Sequence, residues 1–335
     1  MEARGQIREI EDSEAVALLE GLRTRCGDDC GLYSGKMGVC ICYFLLADRY
    51  KSKELKTHGE MILGEVLSSL ETNGSFDFGT GIAGIGWGLD WLARKTLIDT
   101  DVREFLQDLD DEMYKAFVFA GQTDISLSRG MMGRAVYFFR RWEGDAGGHR
   151  YRVLCLRECV RLQTELLGAY ILGRTASGFV QREDVRMLAC FLSFLTRIYP
   201  TAVGGMAIEG LFCSAYSLAN DYVHGYAGAR DSAEQEAALL LSDAWYRAGL
   251  VLCPEEWGDT AVALYMDRFG SGRGDGKVNW TVRYLLERWR RRGANIPGLK
   301  VEGDAVPLES PLDALCMYML RCPDPDPAWE EGWLF

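Results

Sequence analysis

Hydrophobic positions along the chain follow two patterns, and both are helical. In the first, nearly every position is apolar, as in the run Val-Cys-Ile-Cys-Tyr-Phe-Leu-Leu at residues 39–46. In the second, Leu55, Ile62, Val66 and Leu70 recur at helical spacing between polar residues, which is typical of a helix with one face on a core. The second pattern returns in segments 100–120, 149–171 and 206–221. No run alternates as a half-buried strand does, so the sequence predicts an all-α protein.

A glycine step precedes the strongly apolar segments. The pattern Gly-x-x-Gly occurs at residues 35–38, 81–84, 130–133 and 225–228. Its first glycines are 46, 49 and 95 residues apart, and such a period indicates repeated structural units. Because the last interval is about twice the others, a degenerate copy is expected near Gly178. A weaker copy is expected around residues 272–276.

Together the two helix types predict an α/α toroid of about six to seven helix pairs, forming a single domain over residues 1–335. Helices that are apolar all round are buried, whereas amphipathic helices face solvent on one side. An inner ring of buried helices, each opening with Gly-x-x-Gly, inside an outer ring of amphipathic ones satisfies both patterns. The glycines would let backbones approach closely and leave first-turn N–H groups open toward a central cavity. The alternative is an open α-solenoid, whose amphipathic helices have no need of glycine pairs.

Composition narrows the classes of partner. The net charge of −12 argues against nucleic acid, because phosphate neutralisation needs a basic surface. Residues 1–14 lack the apolar region of a signal peptide, and the apolar stretch 37–47 is too short to span a bilayer. Eleven cysteines are an odd number, in a chain without the pattern of a small secreted disulfide framework. We therefore expect a cytoplasmic protein.

Several segments resemble the lanthionine synthetase C-like proteins, whose inner helices open with Gly-Leu-Ala-Gly-type steps. They are Gly-Leu-Tyr-Ser-Gly-Lys-Met-Gly at 31–38, Gly-Ile-Ala-Gly-Ile-Gly at 81–86 and Gly-Tyr-Ala-Gly at 225–228. The resemblance is specific over the first 145 residues and rests beyond them mainly on the copy at Gly225. It implies an α/α toroid of about seven helix pairs. It also implies a link to ribosomally made peptides, in which Cys thiols add to dehydrated Ser or Thr and form thioether rings.

The same resemblance implies a zinc site, but its ligands are not all present. Cyclases of the family hold zinc through one Cys from one inner-helix start and a Cys-His pair from the next, and the metal lowers the pKa of the substrate thiol. Here the Cys-His-Gly signature falls on residues 223–225, where His224 is kept and Val223 replaces the cysteine. The preceding copy, residues 174–178, contains no cysteine. We expect no metal cofactor, with zinc possible only through ligands that differ from the family's.

Two aspartates and one histidine are the candidate catalytic groups. Asp77 lies four residues before Gly81 and resembles the cavity-facing aspartate of the family; Asp221 stands four before Gly225 and would face the same cavity. His224 would lie just before an inner-helix start. Alternatively, the aspartates cap helices and His224 is a hydrogen-bonded loop residue. The candidate substrate-binding residues, which core packing explains equally well, are Trp87, Trp91, Arg134 and Tyr137.

Cysteine pairs four residues apart offer another metal-site hypothesis. They are Cys26 with Cys30 and Cys155 with Cys159, and neither pair forms a C-x-x-C knuckle. We interpret these thiols as small buried apolar residues.

The leading functional hypothesis is a zinc-deficient lanthionine synthetase C-like protein. It would bind a precursor or modified peptide, either as a non-catalytic partner or with divergent chemistry. One alternative is a metal-independent carbohydrate-active α/α-barrel enzyme that uses Asp77 with Asp221 as paired carboxylates. Another is a non-catalytic interaction scaffold.

Overall fold

The chain is helical over most of its described length. The computed structural model describes residues 17, 19–21, 23–70, 74–99, 101–119, 124–144, 149–175, 182–203, 205–225 and 232–252. Within these ranges lie helices α1 (Lys36–Tyr50), α2 (Lys53–Ser69), α3 (Ile82–Arg94), α4 (Arg103–Phe119), α5 (Met131–Gly144), α6 (Arg150–Thr175), α7 (Arg182–Ile198), α8 (Met206–Gly225) and α9 (Ser232–Leu252). No strand occurs in the same ranges, so the all-α prediction is confirmed for them. None of the described helices is both long enough and apolar enough to cross a membrane.

The two helix types inferred from sequence differ in burial as predicted. In α3 every residue from Ile82 to Leu92 is buried. In α2 the buried residues are Leu55, Gly59, Ile62, Leu63 and Val66, which form one face of the helix. The segments predicted to be amphipathic coincide with α2, α4, α6 and α8. Fully apolar helices therefore lie in the core and amphipathic ones at its edge.

The described residues divide into two units, and the boundary falls inside α6, between Leu156 and Arg157. In the first unit, α1 packs against α2 and α3, and α3 packs against α4 and α5. The buried helices α1, α3 and α5 are thus neighbours in chain order, and amphipathic α2 and α4 pack on α1 and α3.

The second unit contains α7, α8, α9 and the remainder of α6. Helices α7, α8 and α9 each pack on the other two. The buried face of α8 consists of Ile208, Phe212, Ala215, Ala219 and Val223. The expected repeat copies near Gly178 and at 272–276 lie outside the described residues. The prediction of a single domain over 1–335 stays a prediction.

Candidate functional site

Three loops with the same hydrogen bonding lead into the buried helices of the first unit. They are residues 29–35, 75–81 and 124–130, which precede α1, α3 and α5. In each, the main-chain carbonyl of the first loop residue accepts a hydrogen bond from the first N–H of the helix. The donor and acceptor pairs are Lys36 to Asp29, Ile82 to Ser75 and Met131 to Asp124, each at 2.9 Å. The repeat read from the glycines is therefore also a repeat in three dimensions.

The first residue of each loop also folds the loop through its side chain. Asp29 Oδ1 accepts from the Gly31 N–H at 2.7 Å. Ser75 Oγ accepts from the Asp77 N–H at 3.2 Å, and Asp124 Oδ1 from the Ser126 N–H at 2.7 Å. These are Asx- and Ser-type turns. Sequence reasoning missed them, although an Asp or Ser six residues before the first glycine is a readable signal.

The three loops lie side by side and bond to one another through their fifth residues. The Tyr33 N–H donates to the Gly79 carbonyl at 3.0 Å, and the Gly79 N–H donates to the Ser128 carbonyl at 2.7 Å. The Leu32 N–H also donates to the Gly79 carbonyl, at 2.8 Å. We call these three bonded loops the loop layer. Because each joint connects equivalent positions, successive helix pairs of the first unit are held in a regular order.

The glycines of each step have separate steric roles. A Cβ on Gly81 would lie closer than 3.0 Å to main-chain atoms of Ser75 and Asp77, in the glycine's own loop. A Cβ on Gly84 would meet the Phe78 carbonyl and the Leu32 side chain of the preceding loop. The first glycine therefore closes its loop, and the second lets the helix start pack against the layer.

The expectation that first-turn N–H groups are open is wrong for the first residue of each buried helix. The N–H groups of Lys36, Ile82 and Met131 all donate to the first carbonyl of their loops. The loop folds back over the helix start and satisfies that donor itself, so this N–H cannot receive a ligand.

Asp77 and Arg134 are two predicted site residues that interact electrostatically in the structure. Asp77 is half-buried in the second loop, where its Oδ2 accepts from the exposed Thr80 hydroxyl at 3.4 Å. Arg134, near the start of α5, is only 6% exposed, and its Nε and Nη1 have no hydrogen-bond partner among the described residues. Burial lowers the pKa of Arg134, and the Asp77 charge opposes this lowering, although the two groups form no ion pair. A buried cation thus lies near a carboxylate without being neutralised by contact.

The predicted aromatic candidates lie in the core. Trp87 and Trp91 are 2% and 1% exposed and stack with their ring centroids 6.5 Å apart. Phe78 continues the row from Trp87 at 6.0 Å, and half-buried Tyr33 contacts Phe78 at 5.9 Å. Tyr137 is fully buried, and its hydroxyl donates to Asp110 Oδ1 at 2.8 Å. Contact of these rings with a ligand stays a prediction.

A buried cluster of charges in the first unit was not foreseen. Asp90 pairs with Arg141 at 2.8 Å, with Arg94 at 2.7 Å and with Arg140 at 3.2 Å. The last two contacts are ion pairs without hydrogen-bond geometry. A second carboxylate, Asp110, accepts from Arg141 Nε at 2.9 Å and Nη2 at 3.0 Å and from Arg152 at 3.1 Å. We call these six residues the arginine–aspartate cluster.

Burial governs the titration of the arginine–aspartate cluster. Burial raises the pKa of Asp110, against the opposing hydrogen bond from Arg141. Burial also raises the pKa of Tyr137 well above its ordinary value, and the Asp110 charge adds to the effect. For Arg141, burial lowers the pKa but the hydrogen bonds and charge of Asp110 raise it overall. The sequence signal was the presence of Asp90 and Arg141 in helices that open with the glycine step and are predicted to be buried, because unpaired charges are rarely buried.

The structure places His224 and Asp221 in a helix, and not in a loop that leads into a buried helix as predicted. Both lie inside α8, which runs through to Gly225, so His224 does not lie in a loop before a buried helix. The apolar face of α8 continues as far as Val223, which explains why the helix does not stop earlier. His224 is exposed; its Nδ1 lies 2.8 Å from the Asn220 carbonyl, and its ring meets Trp245 edge-on at 5.8 Å. Asp221 is exposed within the same helix and caps no helix start.

The residues that the resemblance aligns with a zinc site do not fit a zinc ion. Val223 is 1% exposed and has no donor atom, so His224 could supply only one ligand from this pair, and a structural or catalytic zinc needs at least three protein ligands. Across the described ranges, no group of three His, Cys, Asp or Glu side chains is placed to hold a metal. Asp77 lies in the first unit and Asp221 in the second.

The eight cysteines of the described residues are free thiols. The interpretation of the paired cysteines as buried apolar residues is confirmed for Cys30 and Cys159, but Cys155 is exposed and Cys26 is half-buried. Cys40 and Cys42 of α1 are buried as well. Burial raises the pKa of Cys40 far above its ordinary value, and its Sγ donates to the Gly59 carbonyl at 3.4 Å. The thiols therefore differ strongly in accessibility.

Brief alkylation with iodoacetamide at neutral pH is expected to follow this order. Cys155 and Cys213, both exposed, should react at least about a hundredfold faster than Cys40, because a buried thiol reacts only after local opening. Peptide mass mapping over time measures each rate. Equal labelling of Cys40 and Cys155 in the native protein would contradict the burial of α1.

No protein-family model matches this chain, and no curated protein matches it either.

Proposed function

We propose that this protein is a divergent member of the lanthionine synthetase C-like proteins, an α/α toroid that binds a peptide without the family's zinc chemistry. The observation that carries the proposal is the loop layer. Three Gly-x-x-Gly steps open three buried helices, and each step follows a loop with the same internal hydrogen bonds. Repetition of one loop-and-helix unit with amphipathic partners is the architecture that the resemblance implies.

The order of the helices supports closure into a ring. Buried α1, α3 and α5 are consecutive neighbours, and the loops before them are joined in the same order through Tyr33, Gly79 and Ser128. In an open solenoid both helices of a repeat keep an amphipathic face. Here α3 is buried along Ile82–Leu92, which favours a helix surrounded on all sides.

Binding without zinc catalysis is supported by the residues that the resemblance aligns with the metal site. Val223 cannot ligate a metal, and His224 lies on the exposed side of an amphipathic helix. In the first unit, half-buried Asp77 with exposed Thr80 supplies polar groups at the loop layer that a peptide can reach. The free thiols of the described residues fit a reducing cytoplasm. No specific observation favours the paired-carboxylate glycosidase or the pure scaffold.

The test is direct binding of labelled peptides to the full chain by fluorescence anisotropy. The panel holds Ser-, Thr- and Cys-containing peptides in linear, dehydrated and thioether-ringed forms, with an oligosaccharide set alongside. At least one peptide form is expected to bind, and Asp77→Asn to weaken it about tenfold, whereas exposed Asp48→Asn leaves it unchanged. Failure of every peptide form would overturn the proposal, and binding of an oligosaccharide instead would establish the carbohydrate alternative.

Metal analysis by mass spectrometry provides a second, independent test. Protein purified with zinc supplied and without chelator is expected to carry no stoichiometric zinc. One zinc per chain would mean that other residues complete a cyclase-like site, and the zinc-free part of the proposal would be wrong.

A further inference from the structure

Arg134 is a charged candidate site residue of the first unit that is buried while part of its guanidinium has no hydrogen-bond partner among the described residues. It is 6% exposed, yet its Nε and Nη1 have no hydrogen-bond partner within the described ranges. A buried guanidinium normally has an ion-pair or hydrogen-bond partner, because burying a charge without one is strongly unfavourable. The arginines of the arginine–aspartate cluster show the ordinary solution, since Arg141 contacts both Asp90 and Asp110.

The guanidinium of Arg134 lies on the loop side of its helix. Arg134 is the fourth residue of α5, and helical side chains lean toward the N-terminus. Its electrostatic interaction with Asp77, in the neighbouring loop, agrees with this direction. Asp77 is half-buried, and Thr80, whose hydroxyl donates to it, is exposed, so solvent and a ligand can reach the Asp77 carboxylate at the loop layer.

The start of α5 adds positive potential near the same position. Only its first N–H, that of Met131, donates to the loop, through the Asp124 carbonyl. Among the described residues, the N–H groups of Met132 and Gly133 have no acceptor. A helix N-terminus carries roughly half a positive charge, which favours an anion.

We propose that Arg134 binds a carboxylate of the ligand at the loop layer, with Asp77 accepting a hydrogen bond from an N–H next to that carboxylate. The planar guanidinium matches a carboxylate with two parallel hydrogen bonds. A monoanion fits better than phosphate, because the Asp77 charge repels a second negative charge. The assignment of this carboxylate to a peptide rests on the proposed function; the anion site itself does not.

The experiment uses thermal unfolding of the full chain with N-acetylglycine, which carries a carboxylate beside an N–H. N-acetylglycinamide is the neutral match, inorganic phosphate is the alternative anion, and sodium chloride equalises ionic strength. At about ten times its dissociation constant, N-acetylglycine is expected to raise the Tm by about 2–5 °C. The amide should leave the Tm unchanged. An equal rise with the amide, or a larger one with phosphate, would overturn the carboxylate assignment.

Variants of Arg134 test whether this residue is responsible for the Tm increase with N-acetylglycine. Arg134→Met should abolish the response and raise the Tm of the ligand-free protein, since an unpaired buried charge is removed. Arg134→Lys keeps the charge but loses the planar guanidinium. Its affinity for N-acetylglycine should therefore be at least about tenfold lower than that of the wild type. The matched control is Arg150→Met, an exposed arginine at the start of α6 and outside the loop layer, which should respond as the wild type does. An unchanged response in Arg134→Met, or a lower ligand-free Tm, would show a structural role instead.

The two proposals fail separately. Stabilisation by N-acetylglycine without binding of any peptide would keep the Arg134 site and remove the peptide function. Peptide binding that is equal in the wild type and Arg134→Lys would keep the function and remove the site.

Discussion

Asp90→Asn is expected to lower the free energy of unfolding by about 3–5 kcal/mol, because it leaves buried arginine charge uncompensated. The Asp90 carboxylate is 5% exposed and contacts Arg141 at 2.8 Å, Arg94 at 2.7 Å and Arg140 at 3.2 Å. The amide keeps the shape but removes the charge that these guanidinium groups share. Asp110 lies on the other side of Arg141 and already binds Arg152, so it cannot replace Asp90. Urea unfolding followed by circular dichroism measures the change.

The matched control is Asp48→Asn, the same substitution in an exposed ion pair of α1. Asp48 lies 2.7 Å from Lys51, but its side chain is 61% exposed. Surface pairs of this kind contribute about 0–1 kcal/mol, so little change is expected. Similar losses for the two variants would mean that the arginine–aspartate cluster does not hold the ends of α3 and α5 together.

Gly81→Ala is expected to lower the free energy of unfolding by about 3 kcal/mol, at the upper end of the cost of overpacking. The added Cβ would lie 2.6 Å from the Asp77 nitrogen and 2.8 Å from the Asp77 carbonyl oxygen. These are main-chain atoms of a loop tied to its neighbours, so they cannot move aside as a side chain can. The Gly81 φ of −114° is open to any residue, and the expected loss is therefore steric.

Gly64→Ala provides the control, with an expected effect of opposite sign. Gly64 lies inside α2, and a Cβ there would meet nothing within 4 Å. Alanine is favoured over glycine inside a helix by about 0.5–1 kcal/mol, so this variant should be slightly more stable. Urea unfolding measures the change in both variants. Wild-type stability of Gly81→Ala would show that the main-chain atoms of the second loop can move aside at little energetic cost.

Helices and their burial were predictable because both depend on neighbours along the chain. The spacing of Leu55, Ile62 and Val66 places these residues on one face of α2, whatever the rest of the molecule does. The apolar run after Gly81 needs a buried position for the same reason. The first three copies of Gly-x-x-Gly likewise revealed equivalent helix starts, those of α1, α3 and α5, at regular intervals.

The site was less predictable, because its properties depend on residues far apart in sequence. Asp77 and Arg134 were selected singly, but their approach without an ion pair follows from the bonding of the second loop to the third. The fourth glycine step predicts a helix start, with His224 just before it. In the structure His224 lies inside α8, because the apolar face of this helix extends it through Gly225.

The sequence by itself determined the helix pairs, the contrast between buried and amphipathic helices, and the repeated glycine step. These follow from local periodicity and from the absence of a Cβ. Only the tertiary structure decided that Gly79 joins adjacent loops and that Asp90 and Asp110 share Arg141. It also decided that Nε and Nη1 of buried Arg134 have no hydrogen-bond partner among the described residues. Each of these depends on which residues come into contact when helices from distant parts of the chain pack together. Burial then determines how much free energy a polar contact contributes and how unfavourable a missing partner is.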